Sequence, residues 1–251
     1  MAYRADSDLI FLAEMKSSDL DDLVFCLTHD KDGDIRLTEE LTSREDYKAY
    51  HPDHNKYWQD IAGEIQCYGA NSIATIFRGG EGVPYKEVLM DVCDKMKVNY
   101  NKDSSTERIE QMLVQKILSD ALEKMSPEEL KELGETMGIK NTETVTPQFM
   151  FGVFQAVFRA GGFKSYQLTL IVVNGILKAL IGRGLTFGGN IILTRTMAVL
   201  AGPIGWAITG AWTLIDVASA AYRVTIPAVI QISVLRQKHM YADKAEEVSF
   251  T

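Results

Sequence analysis

A few stretches of this chain hold residue types that could do chemistry. Asp30, Asp32 and Asp34 alternate in DKDGD, the spacing that opens a calcium-binding loop. The rest of such a loop is missing. Glycine belongs where Ile35 stands and glutamate where Leu41 stands, so a solvated acidic turn is expected. His51-Pro52-Asp53-His54 sets two imidazoles beside a carboxylate. A zinc site needs a fuller ligand set, and no thiol or further histidine is near in sequence; a helix entry capped by Asp53 explains the same residues. Gly79-Gly80-Glu81-Gly82-Val83-Pro84 has the glycine content of a phosphate cradle without its lysine or its preceding strand, and reads as a link between helices. The chain has no G-x-S-x-G, and its 4 histidines do not assemble with a serine or cysteine nucleophile. No catalytic residue, metal ligand or cofactor is assigned, and a non-enzymatic role is expected.

Charge is placed unevenly along the 251 residues. Met1 to Gln148 carries 17 basic and 30 acidic residues, a net of −13, whereas Phe149 to Lys238 carries 8 basic residues and a single acid, Asp216, a net of +7. An acidic first half argues against nucleic acid as a partner, because phosphate binding needs clustered Lys and Arg. An apolar second half with scattered positive charge suits docking on the acidic half, or meeting an anionic membrane surface. Cys26, Cys67 and Cys93 are far apart and form no C-x-x-C, which reads as reduced thiols in a cytoplasmic protein. The opening MAYRADSDLI holds acids where a signal peptide needs an unbroken apolar core.

The elements that must position these residues are helices; strand signals are scarce. Ser7 is placed to cap a helix over Asp8–Lys16, and Ser17 or Ser18 the next, where Leu20, Leu23, Val24 and Leu27 recur at helical spacing. Tyr57, Trp58, Ile61, Ala62, Ile65 and Tyr68 form one apolar stripe ending at Gly69. Asn71–Arg78 is a short helix, and Pro84 opens another through Val98. Ser104-Ser-Thr-Glu107 has the capping-box pattern at the head of a long helix to about Met125. Ser126-Pro127-Glu128-Glu129 is a strong helix start, and Thr146-Pro147 opens a helix through Arg159. Phe163–Ile181 is apolar apart from Lys164 and Lys178.

Thr196–Ile215 then holds 20 residues without a formal charge, enough to cross a hydrocarbon core. Small residues, Gly202 and Gly205 among them, fall at or near four-residue spacing, which lets helices approach closely. Trp206 and Trp212 fit interfacial anchors. Pro203 breaks the run, and Asp216 and Arg223 are costly in lipid unless paired. A buried core is the reading we carry forward, with a hairpin centred on Pro203 that inserts reversibly into a membrane as its alternative.

Two stretches resemble a known family. One is Trp58-Gln-Asp-Ile61-Ala-Gly63-Glu64-Ile-Gln66, continuing through Asn71-Ser-Ile-Ala74 and Arg78-Gly79 to Tyr85-Lys-Glu-Val-Leu89-Met-Asp91-Val. The other is Ala221-Tyr-Arg-Val-Thr-Ile-Pro227-Ala-Val-Ile-Gln231-Ile, ending in Leu235-Arg236. Together they are similar to the bacterial YaaW family of uncharacterised proteins. Arg4-Ala-Asp-Ser-Asp8-Leu-Ile-Phe-Leu12 resembles the short domain of unknown function at that family's N-terminus. The middle of the family has been likened to ubiquinol–cytochrome c chaperones. The resemblance implies an all-helical protein with a chaperone or assembly role, and implies no catalytic residues.

The expectation is an all-α multi-helix bundle with an apolar, Gly-rich C-terminal helical hairpin, divided at residues 1–48, 49–140 and 146–251. A protein partner is expected, together with contact to an anionic membrane surface. Trp58, Glu64, Gln66, Arg78, Tyr222 and Arg223 are the candidate binding residues. Gly202, Pro203, Trp206, Trp212 and Asp216 are candidates for packing or membrane contact.

Overall fold

The computed structural model describes residues 3–30, 32–36, 40–69, 82–182, 184–185, 199–200, 202–205 and 221–241. Nine α-helices are named among them: α1 (Ser17–Thr28), α2 (Glu45–Tyr50), α3 (Trp58–Gly69), α4 (Tyr85–Lys95), α5 (Thr106–Glu123), α6 (Pro127–Thr136), α7 (Pro147–Ala160), α8 (Gly162–Ile181) and α9 (Tyr222–Tyr241). Short 3-10 turns at Ile10–Glu14, Leu41–Ser43 and His54–Tyr57 join the early ones. Among the described residues the sole β feature is an isolated antiparallel bridge from His29 to Ile35. The all-α expectation holds. The fragment 202–205 is helical, while Trp206, Trp212 and Asp216, and with them most of the expected hairpin, lie outside the described residues.

Helix starts follow the local chemistry. At α6 the Ser126 hydroxyl accepts from Glu129 N (3.2 Å) and the Glu129 carboxylate accepts from Ser126 N (2.8 Å), closing a capping box ahead of Pro127. Thr146 Oγ1 accepts from Phe149 N (3.2 Å) to start α7. At α5 the cap is Ser105, whose hydroxyl accepts from Arg108 N, one residue beyond the serine that the capping-box pattern suggests. The segment over Asp8–Lys16 is shorter than expected, a 3-10 turn over Ile10–Glu14. Likewise α4 stops at Lys95, because Lys97 turns to a positive φ of 55°.

The last described helix is the axis of the fold. Thirteen of the 20 residues of α9 are buried, from Val224 through Leu235 and then Gln237, so it has no continuous solvent face. Advancing about 100° per residue sends its side chains to every neighbour in turn. Val224 and Lys238 face α1, where the Cys26 thiol points at the Val224 carbonyl (3.9 Å). Gln237 faces α8, and its amide oxygen accepts from Thr169 Oγ1 (3.0 Å). Arg236 faces α4 and α5. His239 meets the Ile10–Glu14 turn, 5.8 Å from the Phe11 ring. Each aliphatic residue buried this way contributes about 1.5–3 kcal/mol. Pro227 lies inside the helix rather than at its start, and the Thr225 hydroxyl donates to the Ala221 carbonyl (3.2 Å) at that end.

Two close approaches set the spacing of the bundle. A Cβ at Gly82 would stand 2.5 Å from Gln66 Cβ and 2.7 Å from its carbonyl carbon, so only glycine lets Val83 N reach the Gln66 carbonyl (3.1 Å). Gly175 of α8 takes Ile204 within 3.2 Å of the same notional position. Small-residue packing is therefore seen at Gly175. Among the described residues nothing lies within 4 Å of a Cβ placed at Gly202, and Pro203 is buried.

Candidate functional site

Arg236 stands at the junction of α9, α5, α4 and the N-terminal segment. Its Nε donates to Glu110 Oε2 (2.8 Å) and its Nη2 to Glu110 Oε1 (3.2 Å) and to the Asp8 carbonyl (2.8 Å). The guanidinium lies over the rings of Phe11 (4.7 Å) and Tyr85 (5.8 Å). Glu110 is 2 % exposed, and its Oε1 also accepts from Tyr85 Oη (2.8 Å). Burial lifts the Glu110 carboxyl above its ordinary value, while Arg236 and Tyr85 draw it back. Three donors converge on its two oxygens, which is the environment of a carboxylate, and Glu110 in turn helps hold Arg236 charged. Burial first, then Glu110, pushes the Tyr85 phenol well above its normal range, so it remains a donor.

Around this pair a second ring of contacts fixes residues 3–8. Gln66 is fully buried on α3; its Nε2 donates to the Arg4 carbonyl (2.9 Å) and its Oε1 accepts from Arg4 N (3.0 Å). Asp6 Oδ2 accepts from Tyr85 N (2.7 Å), the first amide of α4, and from Gln66 Nε2 (3.3 Å). Asp8 Oδ2 accepts from Thr106 Oγ1 (2.7 Å) in the first turn of α5. Both acids thus sit at helix N-termini, where the helix dipole favours negative charge. On the α1 side, Lys238 Nζ donates to buried Asp19 Oδ1 (2.5 Å).

The other candidates are also engaged by the chain itself. Asp30 Oδ1 accepts from Asp32 N (2.9 Å) and Asp34 N (3.0 Å), the turn expected there, with Gly33 at a φ of 88°. His54 is buried, with Nε2 on Asp21 Oδ1 (2.8 Å) and Nδ1 on the Tyr57 hydroxyl, so both ring nitrogens are spoken for. Asp53 makes no side-chain cap and pairs instead with Lys56 (2.8 Å). No group of three or more His, Cys, Asp or Glu side chains suited to a metal occurs among the described residues. Burial pushes the thiols of Cys26 and Cys93 up to about 12 and that of Cys67 up to about 11, so none is a ready thiolate.

Of the residues picked from the sequence, Trp58, Glu64 and Gln66 share α3. Trp58 meets Tyr3 edge-on (5.3 Å), Glu64 Oε1 accepts from Glu40 N (3.0 Å), and Gln66 holds Arg4. Tyr222 lies beneath Lys95 (5.4 Å), at the opposite end of α9 from Arg236, and Arg223 is exposed. Arg78 lies outside the described residues. Sequence reasoning missed Glu110, Asp6 and Asp19. A signal was present: Arg236 directly follows the largely apolar run from Val224 to Leu235, and a charge carried into the bundle at the end of such a run needs a buried partner.

Residues 53–230 match a family model described as ubiquinol–cytochrome C chaperone, and residues 3–37 match a domain of unknown function (DUF3944). The class is thus an all-helical chain, most of which matches the family model described as ubiquinol–cytochrome C chaperone. The chain belongs to the UPF0174 family. It is 51% identical over 244 residues to a UPF0174 protein of Helicobacter pylori J99, covering 97% of this chain and 96% of that one. A second protein of that name in the same strain is 45% identical over 206 residues, covering 80% and 98%. The UPF0174 protein YaaW of Escherichia coli K12 is 35% identical over 240 residues, covering 94% and 95%. No solved structure matches.

Proposed function

We infer that this chain is a non-enzymatic chaperone or assembly factor that acts by binding a protein partner. The observation that carries the reading is the chaperone family match over 53–230, which takes in α3 to α8 and the start of α9. The inward use of the reactive groups supports it: Glu110, Arg236, Tyr85 and His54 are bound to one another or to neighbouring side chains, and the thiols are held protonated. We place it in the cytoplasm, with the acidic half recruiting the partner. The test is affinity capture from the native host, followed by reconstitution with the captured protein in purified form. A stoichiometric complex whose partner folds or assembles faster in the presence of this chain is expected. Equal partner yield with and without the chain would sink the reading.

Contact with an anionic membrane surface is a second reading, favoured by one observation. Phe149 is 50 % exposed on α7, and Arg159 and Lys164 follow with no acid before Asp216. No helix among the described residues is long and apolar enough to cross a membrane. Flotation with phosphatidylglycerol vesicles, and loss of binding in Phe149→Glu, would support peripheral contact; absence of flotation at low salt would exclude it. The membrane-active effector with a hairpin at Pro203, Trp206, Trp212 and Asp216 predicts dye release from the same vesicles, and intact vesicles would count against it.

A further inference from the structure

Residues 3–8 are held in the way that binding grooves hold foreign peptides. Arg4, Ala5 and Ser7 are exposed, Tyr3, Asp6 and Asp8 half-buried, and only at Leu9 does the chain become fully buried. Residues 3–8 therefore lie on the surface as a strap, while Leu9, Phe11, Leu12 and Met15 are anchored in the core.

The groove beneath the strap is built from buried polar groups. Gln66 pairs through both ends of its amide with the backbone N–H and C=O of one residue, Arg4, a contact that reads main chain and not side chain. The first amide of α4, at Tyr85, and the Thr106 hydroxyl in the first turn of α5 each receive a carboxylate, from Asp6 and Asp8. Arg236 Nη2 takes the Asp8 carbonyl, and Tyr3 packs against Gly63 and edge-on to Trp58. With the strap lifted, the Gln66 amide and the Tyr85 N–H lose the partners named here while staying within the bundle, at a cost that favours any occupant able to replace them. What the groove holds is a backbone paired at Arg4 that then turns over residues 7–9, with Asp8 N on Asp6 Oδ1 (2.9 Å) and Leu9 N on the Asp6 carbonyl (3.2 Å), presenting carboxylates two residues apart.

We propose that this groove, between α3 and the N-termini of α4 and α5, is a docking site for an acidic, turn-forming segment of a partner protein, occupied in the resting chain by its own residues 3–8. The strap then acts as a competitor tethered at Leu9, and the tether gives it the advantage of high effective concentration. The proposal does not depend on the chaperone reading, which concerns what the bound partner gains.

The probe is a fluorescent peptide copying Tyr3–Leu9, titrated by anisotropy into the full chain and into a full chain carrying Asp6→Asn and Asp8→Asn. The weakened strap should let the peptide bind roughly tenfold more tightly to the variant than to the parent. A peptide with both acids changed to asparagine should bind neither. A folded variant that takes up the peptide no better than the parent overturns the proposal. Hydrogen exchange on the unmodified chain gives an answer even where the variant is unstable. The Arg4 amide, held by Gln66, should exchange roughly a hundredfold faster than the buried amides of α9, because the strap opens alone. Equal rates would mean that the strap is inseparable from the core, which also overturns the proposal.

Discussion

α7 and α9 make opposite use of similar material. α7 carries one charge in 14 residues, Arg159, whereas α9 carries Arg223, Arg236 and Lys238 in 20. By composition α7 is the oilier helix, yet it buries one stripe, Met150, Phe154 and Phe158, and leaves Phe149 half exposed. α9 is enclosed by α1, α3, α4, α5 and α8. The difference lies in partners. Met150, Phe154 and Phe158 recur every four residues, so α7 meets its neighbours along one line. In α9 both inward charges and one inward amide have mates at the right height, Arg236 with Glu110, Lys238 with Asp19 and Gln237 with Thr169. A charged helix becomes the axis of a bundle when its charges are answered inside.

The sharpest way to break this comparison is Glu110→Ala. It strands the Arg236 guanidinium in the core and should cost about 3–5 kcal/mol in urea unfolding. Lys116→Ala removes one partner of the more exposed Lys116–Asp120 pair and should cost at most about 1 kcal/mol. Similar losses from both would remove the distinction between buried and surface charge drawn here.

Gln231 sharpens it from the other side. It is 1 % exposed on α9, and among the described residues neither end of its amide has a hydrogen-bond partner. Gln231→Leu should raise stability by about 1 kcal/mol, since an unanswered amide gives way to an apolar group of similar size. A lower unfolding midpoint would show that the amide is satisfied in solution.

His54 supplies a pH readout away from both helices. Burial lowers its pKa, helped by His51 and opposed by Asp21. The unfolded chain takes up a proton near pH 6.5 while the folded ring stays neutral, so its contribution to stability is present above that value and lost as pH falls below it. The urea midpoint should drop between pH 7.5 and 5.5, and drop less in His54→Gln. An equal drop in both proteins would assign the effect elsewhere. Smallest of all, Phe149→Ser on the open side of α7 should change stability by no more than about 0.5 kcal/mol. A loss above about 2 kcal/mol would mean that this side is covered.

Much of the helical layout was legible in the sequence, because helix starts are local chemistry. Ser126-Pro127 and Thr146-Pro147 each announce a cap, and the structure puts helices behind both. The central place of α9 was not legible, because its stripe runs all the way round and periodicity names no preferred face. Gln66, Glu64 and Trp58 were picked out as polar or aromatic groups in a family-like stretch; their partners Arg4, Glu40 and Tyr3 lie up to 62 residues away, beyond any local pattern. The Asp30 turn was readable because its hydrogen bonds close within five residues.

The account rests on Arg236 and Glu110 acting as one buried unit that locks the last helix into the bundle. A double-mutant cycle with Glu110→Leu, Arg236→Met and the pair together measures this directly by urea unfolding. Each single change should cost about 3 kcal/mol or more, and the double variant should recover at least about 2 kcal/mol of their sum. Additive losses below about 1 kcal/mol each would mean that the two residues act independently near solvent, and the last helix would have to be held by something else.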